Sequence, residues 1–239
     1  MASGAYVALS GLRARMEQLD RIAADLSNVD TAGYKAERVT TAEADRAEFG
    51  NVLQSAIDVA ASPGHLDFRN GVLTTSGRDL DMALDGKGFF AVQTPNGERY
   101  TRSGQFTRSS DGTLQTLDGF AVLGESGPIR LPAGEVSVEP DGTVHVDKTV
   151  VGKLKVVDFS DYGTLQREQG TRFRSTAAPI APAKDVAVRG GALENSNVSM
   201  VERIAQLTEV ARSFEGLQKG FGVLMNDVYG RAISELGRR

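Results

Sequence analysis

The sequence contains no cysteine and no tryptophan among its 239 residues, and only two histidines. The absence of cysteine excludes disulfides, thiolate metal ligands and a cysteine nucleophile. No window holds the roughly 18 uncharged apolar residues that a membrane-spanning helix needs, so we expect no direct membrane insertion. The N-terminus also lacks the basic stretch and continuous apolar run of a secretory signal, so we expect no cleaved signal peptide.

The charge is nearly balanced, with 27 Lys and Arg against 31 Asp and Glu and a net charge of -4. No block of Lys and Arg is present, so nucleic acid is not expected as a partner. The apolar fraction of 40% suffices for a real core.

The N-terminal segment has the pattern of an amphipathic helix. From Tyr6 to Val29, apolar residues recur in alternating steps of three and four, as in a coiled coil. The turn-forming residues 28–33 should end this helix. The stripe residues that we expect at an assembly interface are Leu9, Leu12, Met16, Leu19 and Leu26.

The central segment has a different pattern. Between residues 63 and 190, short apolar or alternating runs are separated by Asn-Gly and Asp-Gly pairs, which accept the positive φ of tight hairpin turns. No helical spacing intervenes, so we predict an antiparallel β-domain resembling a sandwich or barrel. The pairs are Asn70-Gly71, Asp85-Gly86, Asn96-Gly97, Asp111-Gly112, Asp118-Gly119 and Asp141-Gly142.

The C-terminal segment returns to helical spacing after Gly190-Gly191. Ser196 or Ser199 is suited to cap the helix, which should extend to about Leu236. Its expected interface residues are Ile204, Leu207, Phe214, Leu217, Phe221, Leu224 and Val228.

Together these segments predict an α+β fold that is mostly β, with long terminal helices forming a coiled-coil stalk. We divide the chain into an N-terminal helix (1–34), a connecting arm (35–62), a β-rich domain (63–190) and a C-terminal helix (191–239). Apolar stripes of this length would be unfavourable in water, so the helices should pair with each other, with other copies, or with both. The alternative is that each stripe covers its own core.

No group of residues predicts catalysis or cofactor binding. His65 and His145 are far apart in the sequence and lack metal-ligand spacing. Asp79, Asp81 and Asp85 fit an alternating strand that runs into a turn better than a carboxylate site. The glycines of residues 86–91 match a dinucleotide fingerprint, but the following FFAVQT favours a strand over the required helix.

Three blocks resemble one known family. Residues 8–12 (ALSGL) and 22–35 (IAADLSNVDTAGYK) resemble the N-terminal signature of bacterial flagellar rod and hook proteins, with Asp25, Ser27 and Asp30 replacing the commoner Asn, Ala and Asn. Residues 85–124 resemble the family's central stretch, which contains GFF and YTRxG. Residues 191–221 resemble its ending, which contains LExSNV and RxFE. The blocks follow the family's order and span almost the whole chain.

The resemblance implies a non-enzymatic structural subunit of the flagellar basal-body rod, which polymerises through its terminal helices and transmits torque across the periplasm. Chain length and residues 212–215 (RSFE) favour the proximal-rod FlgF type, with the distal-rod FlgG type as the alternative. The implied partners are other rod proteins, copies of itself and the flagellar type III export apparatus, without a cofactor or metal. A secreted binding module with helical tails is a further alternative, but the sequence shows no aromatic platform for it.

Overall fold

The computed structural model describes residues 2–38, 65–182 and 186–236. Side chains are described for residues 9–38, 65–182 and 186–223 and for Asn226. Most of the predicted connecting arm, residues 39–62, therefore lies outside the described residues. The described chain divides into two compact units. The helical unit comprises residues 2–27, 37–38, 65 and 199–236, and the β-unit comprises residues 28–36, 66–182 and 186–198.

The helical unit contains two α-helices, α1 (Ala2–Ser27) and α2 (Met200–Leu236), which pack against each other. Ser199 caps α2, because its Oγ accepts the N–H of Glu202 at 3.4 Å. The Glu202 carboxylate also lies in the first turn, where the helix dipole favours negative charge. Neither of these helices has an apolar stretch that could span a membrane.

The strands are short, and one 3₁₀ helix (Tyr162–Thr164) precedes β15. Their bounds are β1 Glu37–Arg38, β2 His65–Leu66, β3 Leu73–Thr75, β4 Met82–Asp85, β5 Phe89–Thr94, β6 Gly97–Thr101, β7 Phe106–Arg108, β8 Leu114–Thr116, β9 Ala121–Gly124, β10 Gly127–Pro128, β11 Val136–Val138, β12 Thr143–Val146, β13 Thr149–Lys153, β14 Val156–Val157, β15 Leu165–Gln169, β16 Arg172–Ser175, β17 Ala187–Gly190 and β18 Ala192–Glu194.

The largest sheet of the β-unit has nine strands. Its path is β15-β16-β6-β5-β9-β8-β7, with β10 added to β9 and β14 added to β5. A second sheet has the order β11-β12-β13, and two further pairs are β17-β4 and β18-β3. The registers of these strands are antiparallel, as the sequence predicts.

Strand β5 lies between two apolar clusters. Phe90 and Val92 belong to the larger cluster, which also includes residues of β11 and β12. Phe89 and Ala91 belong to the second cluster, which contains Phe159 and Phe173. Because successive side chains of a strand point to opposite faces, a strand covered on both faces needs a continuous apolar run. This explains why residues 89–92 have the continuous apolar sequence FFAV instead of alternating between apolar and polar residues.

The Asn-Gly and Asp-Gly pairs form most of the predicted turns. Gly97, Gly112, Gly119 and Gly142 have φ between 84° and 100° and connect successive antiparallel strands. The pair Asn70-Gly71 does not form a hairpin, and Gly71 is required for another reason. A Cβ there would lie 1.9 Å from the Asn195 carbonyl oxygen, so only glycine permits this approach.

The predicted fold class is wrong in its central architectural feature, although a mostly β central domain is present. The helices do not form a coiled-coil stalk, because stripe residues Leu9, Met16 and Ile204 are 56%, 55% and 49% exposed. A coiled coil would bury such residues as knobs in holes. The largest sheet is also open, with β15 and β7 at the ends of its path, so it does not close into a barrel.

Candidate assembly site

The predicted interface residues occupy varied positions on the helices. Leu9, Met16 and Ile204 are exposed. Seven others are half-buried, and the side chains of Leu224 and Val228 lie outside the described ones. The half-buried residues are Leu12, Leu19, Leu26, Leu207, Phe214, Leu217 and Phe221.

The most buried side chains of the described helices are not members of the predicted list. Ile22 and Val210 are 4% and 5% exposed, and Asp25 is 1% exposed. Gly11 lies on the same side of α1, where an added Cβ would be 3.8 Å from Leu217 Cδ1. The face of α1 that packs against α2 is therefore rotated about the helix axis relative to the apolar stripe predicted from the sequence.

A polar cluster, defined here as Arg21, Asp25, Glu37, Arg203 and Gln206, connects the two helices and β1. Arg203 Nη2 lies 3.0 Å from Asp25 Oδ2 and donates to the Glu37 carbonyl at 3.3 Å. Its Nη1 donates to Gln206 Oε1 at 2.6 Å. The Asp25 carboxylate also accepts the Glu37 N–H at 3.4 Å. The Arg21 Nε lies 3.6 Å from Glu37 Oε1.

This polar cluster lines a cleft of about 360 Å³ within the helical unit. The Asp25 and Arg203 side chains are 2% and 13% exposed, so their charges interact with less solvent screening than a surface pair. A single sequence gives no spacing rule that pairs residues 25 and 203, so periodicity could not identify the cluster. The one available signal was the departure of Asp25 from the Asn common in the resembling family.

The three motif blocks of the sequence converge in the β-unit on a second charged group. This buried triad consists of Lys35, Arg102 and Glu194, whose side chains are 0%, 2% and 0% exposed. Glu194 Oε1 accepts from Lys35 Nζ at 2.6 Å and from the Gly71 N–H at 2.8 Å. Glu194 Oε2 accepts from Arg102 Nη1 at 3.3 Å. The triad thus joins residues from GYK, YTRSG and LENSN.

Backbone carbonyls complete the coordination of the two cations. Lys35 Nζ also donates to the Arg69 carbonyl at 2.8 Å. Arg102 Nη2 donates to the Gly86 carbonyl at 2.7 Å, and its guanidinium carbon lies 5.5 Å from the centre of the Phe89 ring. Burial lowers the pKa of Lys35, and the nearby Arg102 lowers it further, whereas Glu194 opposes the shift. Burial likewise lowers the pKa of Arg102.

Backbone contacts bring the same blocks together. The Gly33 N–H donates to the Glu194 carbonyl at 2.7 Å, and Gly33 has φ of 70°. A Cβ at Gly33 would lie 2.2 Å from the Ser103 nitrogen, so the glycine permits close packing on the YTRSG block. The Asn197 side chain accepts the Ala36 N–H at 2.7 Å and donates to the Asp67 carbonyl at 2.7 Å. These contacts join the segments that carry the resemblance.

The rejected chemical candidates also have structural explanations. Val144 and Val146 are buried, and His145 between them is partly buried, with its Nε2 3.0 Å from Glu139 Oε1. Asp81 precedes β4, where Met82, Ala83 and Leu84 are all buried, so the strand does not alternate as predicted. A strand, β5, follows Gly88. Among the described residues, no group of three His, Cys, Asp or Glu could hold a metal ion.

Two family models match the chain. The model described as the flagellar hook protein FlgE/F/G D1 domain matches residues 83–146. The model described as the flagellar basal body rod FlgEFG protein C-terminal matches residues 189–221. The two matches include Arg102 and Glu194 of the buried triad. The matched segments are those of the FlgE/F/G class of flagellar proteins.

Individual relatives show which type of protein within this class the chain resembles. The flagellar basal-body rod protein FlgF of Caulobacter vibrioides is 34% identical over 226 residues, which is 92% of each chain. FlgF of Rhizobium meliloti is 31% identical over 246 residues, covering 99% of each chain. FlgG of Bacillus subtilis is 30% identical over 247 residues, covering 92% of this chain and 94% of its own. This chain belongs to the flagellar basal-body rod proteins of the FlgF type.

The prediction of a structural subunit of the bacterial flagellar basal-body rod is confirmed. The location in the flagellar basal body follows from the same relatives. The three sequence blocks that identify the family meet at the buried triad.

Proposed function

We propose that this rod subunit assembles through its terminal helices, which contact the helices of neighbouring rod subunits, including copies of itself and other rod proteins. The observation that supports this proposal is the distribution of exposed apolar side chains. Of the ten large apolar residues that are exposed in the described chain, six belong to α1 or α2. They are Leu9, Met16, Met200, Val201, Ile204 and Val223.

Exposed apolar surface concentrated on two helices favours burial against another protein. The large apolar residues that are exposed on the β-unit are scattered, as in many monomeric proteins. They are Val72, Leu117, Val150 and Ile180. The predicted interface residues that are half-buried, such as Leu19 and Phe221, would lose their remaining exposure on assembly. Packed helices of successive subunits would then carry torque across the periplasm.

The role that we propose is structural and needs no catalysis, cofactor or metal. Export would use the flagellar type III apparatus without a cleaved signal peptide. Direct membrane insertion and nucleic-acid binding have no part in this proposal. Membership of a family of flagellar rod and hook proteins supports the structural role.

The test replaces exposed leucines and an exposed isoleucine with aspartate. Leu9→Asp and Ile204→Asp each place a charge at a helix position that should be buried on assembly, where an unpaired charge is costly. Leu117→Asp is the matched control, because Leu117 is 64% exposed in the β-unit. The measurements are motility and the amount of the protein in purified basal bodies, with total cellular protein as the reference.

We expect both helix variants to be produced at normal levels, to be missing from basal bodies and to abolish motility, while the control behaves like the native protein. Normal incorporation of both helix variants would reject assembly through these helices. Loss of incorporation in the Leu117→Asp control alone would instead locate the interface on the β-unit.

A further inference from the structure

The buried triad has an imbalance of charge that the family membership does not explain. Two cations, Lys35 and Arg102, share one carboxylate, Glu194, and all three side chains are almost completely buried. Asp67 and Asp158 also act electrostatically on Lys35 and Arg102, respectively. Asp67, however, is paired with Arg69, whose Nε lies 2.9 Å from its Oδ2. Glu194 is the carboxylate that both buried cations contact directly.

Glu194 also joins two chain segments that are far apart in the sequence. Its carboxylate binds Lys35 of the segment 28–36, and its carbonyl accepts the Gly33 N–H of the same segment. Glu194 itself belongs to β18, which pairs with β3. Its carboxylate also accepts the Gly71 N–H, so the same side chain holds the loop that precedes β3.

We propose that Glu194 is an electrostatic latch, whose negative charge holds the segments 28–36 and 191–198 together on the β-unit and whose loss releases both segments as one cooperative unit. In the sequence these segments immediately follow α1 and precede α2. The latch thus controls how the two segments that lead to the helices are attached. The proposal does not depend on the assembly mode proposed above.

Because of this imbalance, removing the charge of Glu194 and removing the charge of Lys35 should have unequal effects. Neutralising Glu194 leaves two buried cations without their shared partner, and both are disfavoured by the surrounding apolar groups. Neutralising Lys35 leaves Arg102 paired with Glu194, so the remaining charges are balanced. Loss of the carboxylate should therefore have a much larger effect than loss of the ammonium group, although each change removes the same 2.6 Å contact.

Hydrogen exchange of the full chain tests this asymmetry. The variants are Glu194→Gln and Lys35→Met, which keep side-chain size, and the double variant that combines them. The measured quantity is the amide exchange rate of peptides covering 28–36 and 191–198. The reference peptide covers 110–125, where the Leu114 N–H is bonded to the Ile129 carbonyl, away from the triad.

We expect Glu194→Gln to raise exchange in both segments about 100-fold and Lys35→Met to raise it less than about 10-fold, because breaking a buried pair is costly only where unpaired charge remains. The reference peptide should change less than about 3-fold. The double variant should exchange more slowly than Glu194→Gln, since one unpaired cation has been removed. If only the number of lost contacts mattered, the double variant would exchange faster than Glu194→Gln.

Three results would overturn the latch. They are an equal effect of the two single variants, acceleration of one segment without the other, and equal acceleration of the reference peptide, which would indicate global unfolding. If Glu194→Gln does not fold, the double variant takes its place, because it still leaves one buried cation, Arg102, without its carboxylate. An effect of the double variant no larger than that of Lys35→Met alone would then reject the proposal.

Discussion

The helical unit and the β-unit differ in how much apolar surface each buries by itself. The β-unit contains three apolar clusters, with fourteen, eight and three buried residues. In the described part of the helical unit, the buried large apolar residues are Ile22 and Val210, and six other large apolar residues are exposed. Burial of apolar area is the main favourable term in folding. The β-unit therefore buries most of its apolar core by itself, whereas in the assembly proposed above the helices would gain stability from contacts with other subunits.

The largest expected effect comes from truncating matched phenylalanines in the two units. Phe90 is fully buried, and its ring centre lies 5.3 Å from that of Phe106, so Phe90→Ala should destabilise the β-unit by about 3–5 kcal/mol. Phe221 is half-buried on α2, so Phe221→Ala should cost less than about 1.5 kcal/mol in the monomer. Urea unfolding followed by circular dichroism gives both values. Equal losses in the two variants would remove the contrast between the units.

A smaller effect is expected from the charged group between the helices. Asp25→Asn removes the charge opposite Arg203 but keeps an oxygen for the Glu37 N–H, so we expect a loss of about 1–3 kcal/mol in the helical unit. The exposed pair of Arg13 and Glu17 is the control, and Arg13→Gln should cost less than about 0.5 kcal/mol. Thermal melting of the helical signal measures both. A similar midpoint shift in the two variants would show that burial does not strengthen the Asp25 pair.

A still smaller loss of stability is expected at acid pH, where the turn residue Asp141 becomes protonated. The N–H and hydroxyl of Thr143 bind the Asp141 carboxylate and, with Lys153, lower its pKa to about 2. Because this pKa is below the ordinary value of about 3.9, the contribution of Asp141 to stability is complete above that value and is lost as the pH falls through about 2. A carboxyl-carbon NMR titration measures this directly. A midpoint near the ordinary value would mean that these hydrogen bonds do not form in solution.

The smallest effect is expected from removing both histidines. His65 is exposed, and His145 contacts a largely exposed Glu139. We expect the double variant His65→Ala with His145→Ala to be motile, with normal protein abundance, because neither imidazole belongs to the helix surface or to the triad. Swarming diameter and immunoblotting measure the two quantities. A non-motile strain with normal abundance and intact rods would point to a function of these residues that our proposal lacks.

Local chemistry made much of the β-unit predictable. Asn-Gly and Asp-Gly pairs act through their own backbone preferences, so Gly97, Gly112, Gly119 and Gly142 mark turns without knowledge of their neighbours. The buried triad was not predictable in this way. Lys35 and Glu194 are 159 positions apart, and a lysine in a sequence gives no local sign that it will be fully buried. Resemblance located the three blocks, but only the structure shows that they meet.

The coiled-coil stalk was predicted wrongly because spacing reports which side of a helix is apolar, not which side is covered. Leu9 and Met16 satisfy the heptad rule and are exposed. Asp25 and Gln18 violate it and line the cleft between the helices. In a chain that associates with others, the most apolar side need not be the one used within the subunit. The predicted interface residues therefore remain a prediction about assembly.

The contacts between residues 33–36 and 194–197 have a consequence for how the β-unit is inserted in the chain. Its first and last segments are joined by hydrogen bonds of 2.7 Å from Gly33 to Glu194 and from Ala36 to Asn197. A module whose entry and exit points are adjacent can vary in size without changing the spacing of the flanking chain. The β-unit can thus gain or lose hairpins while its point of attachment stays the same.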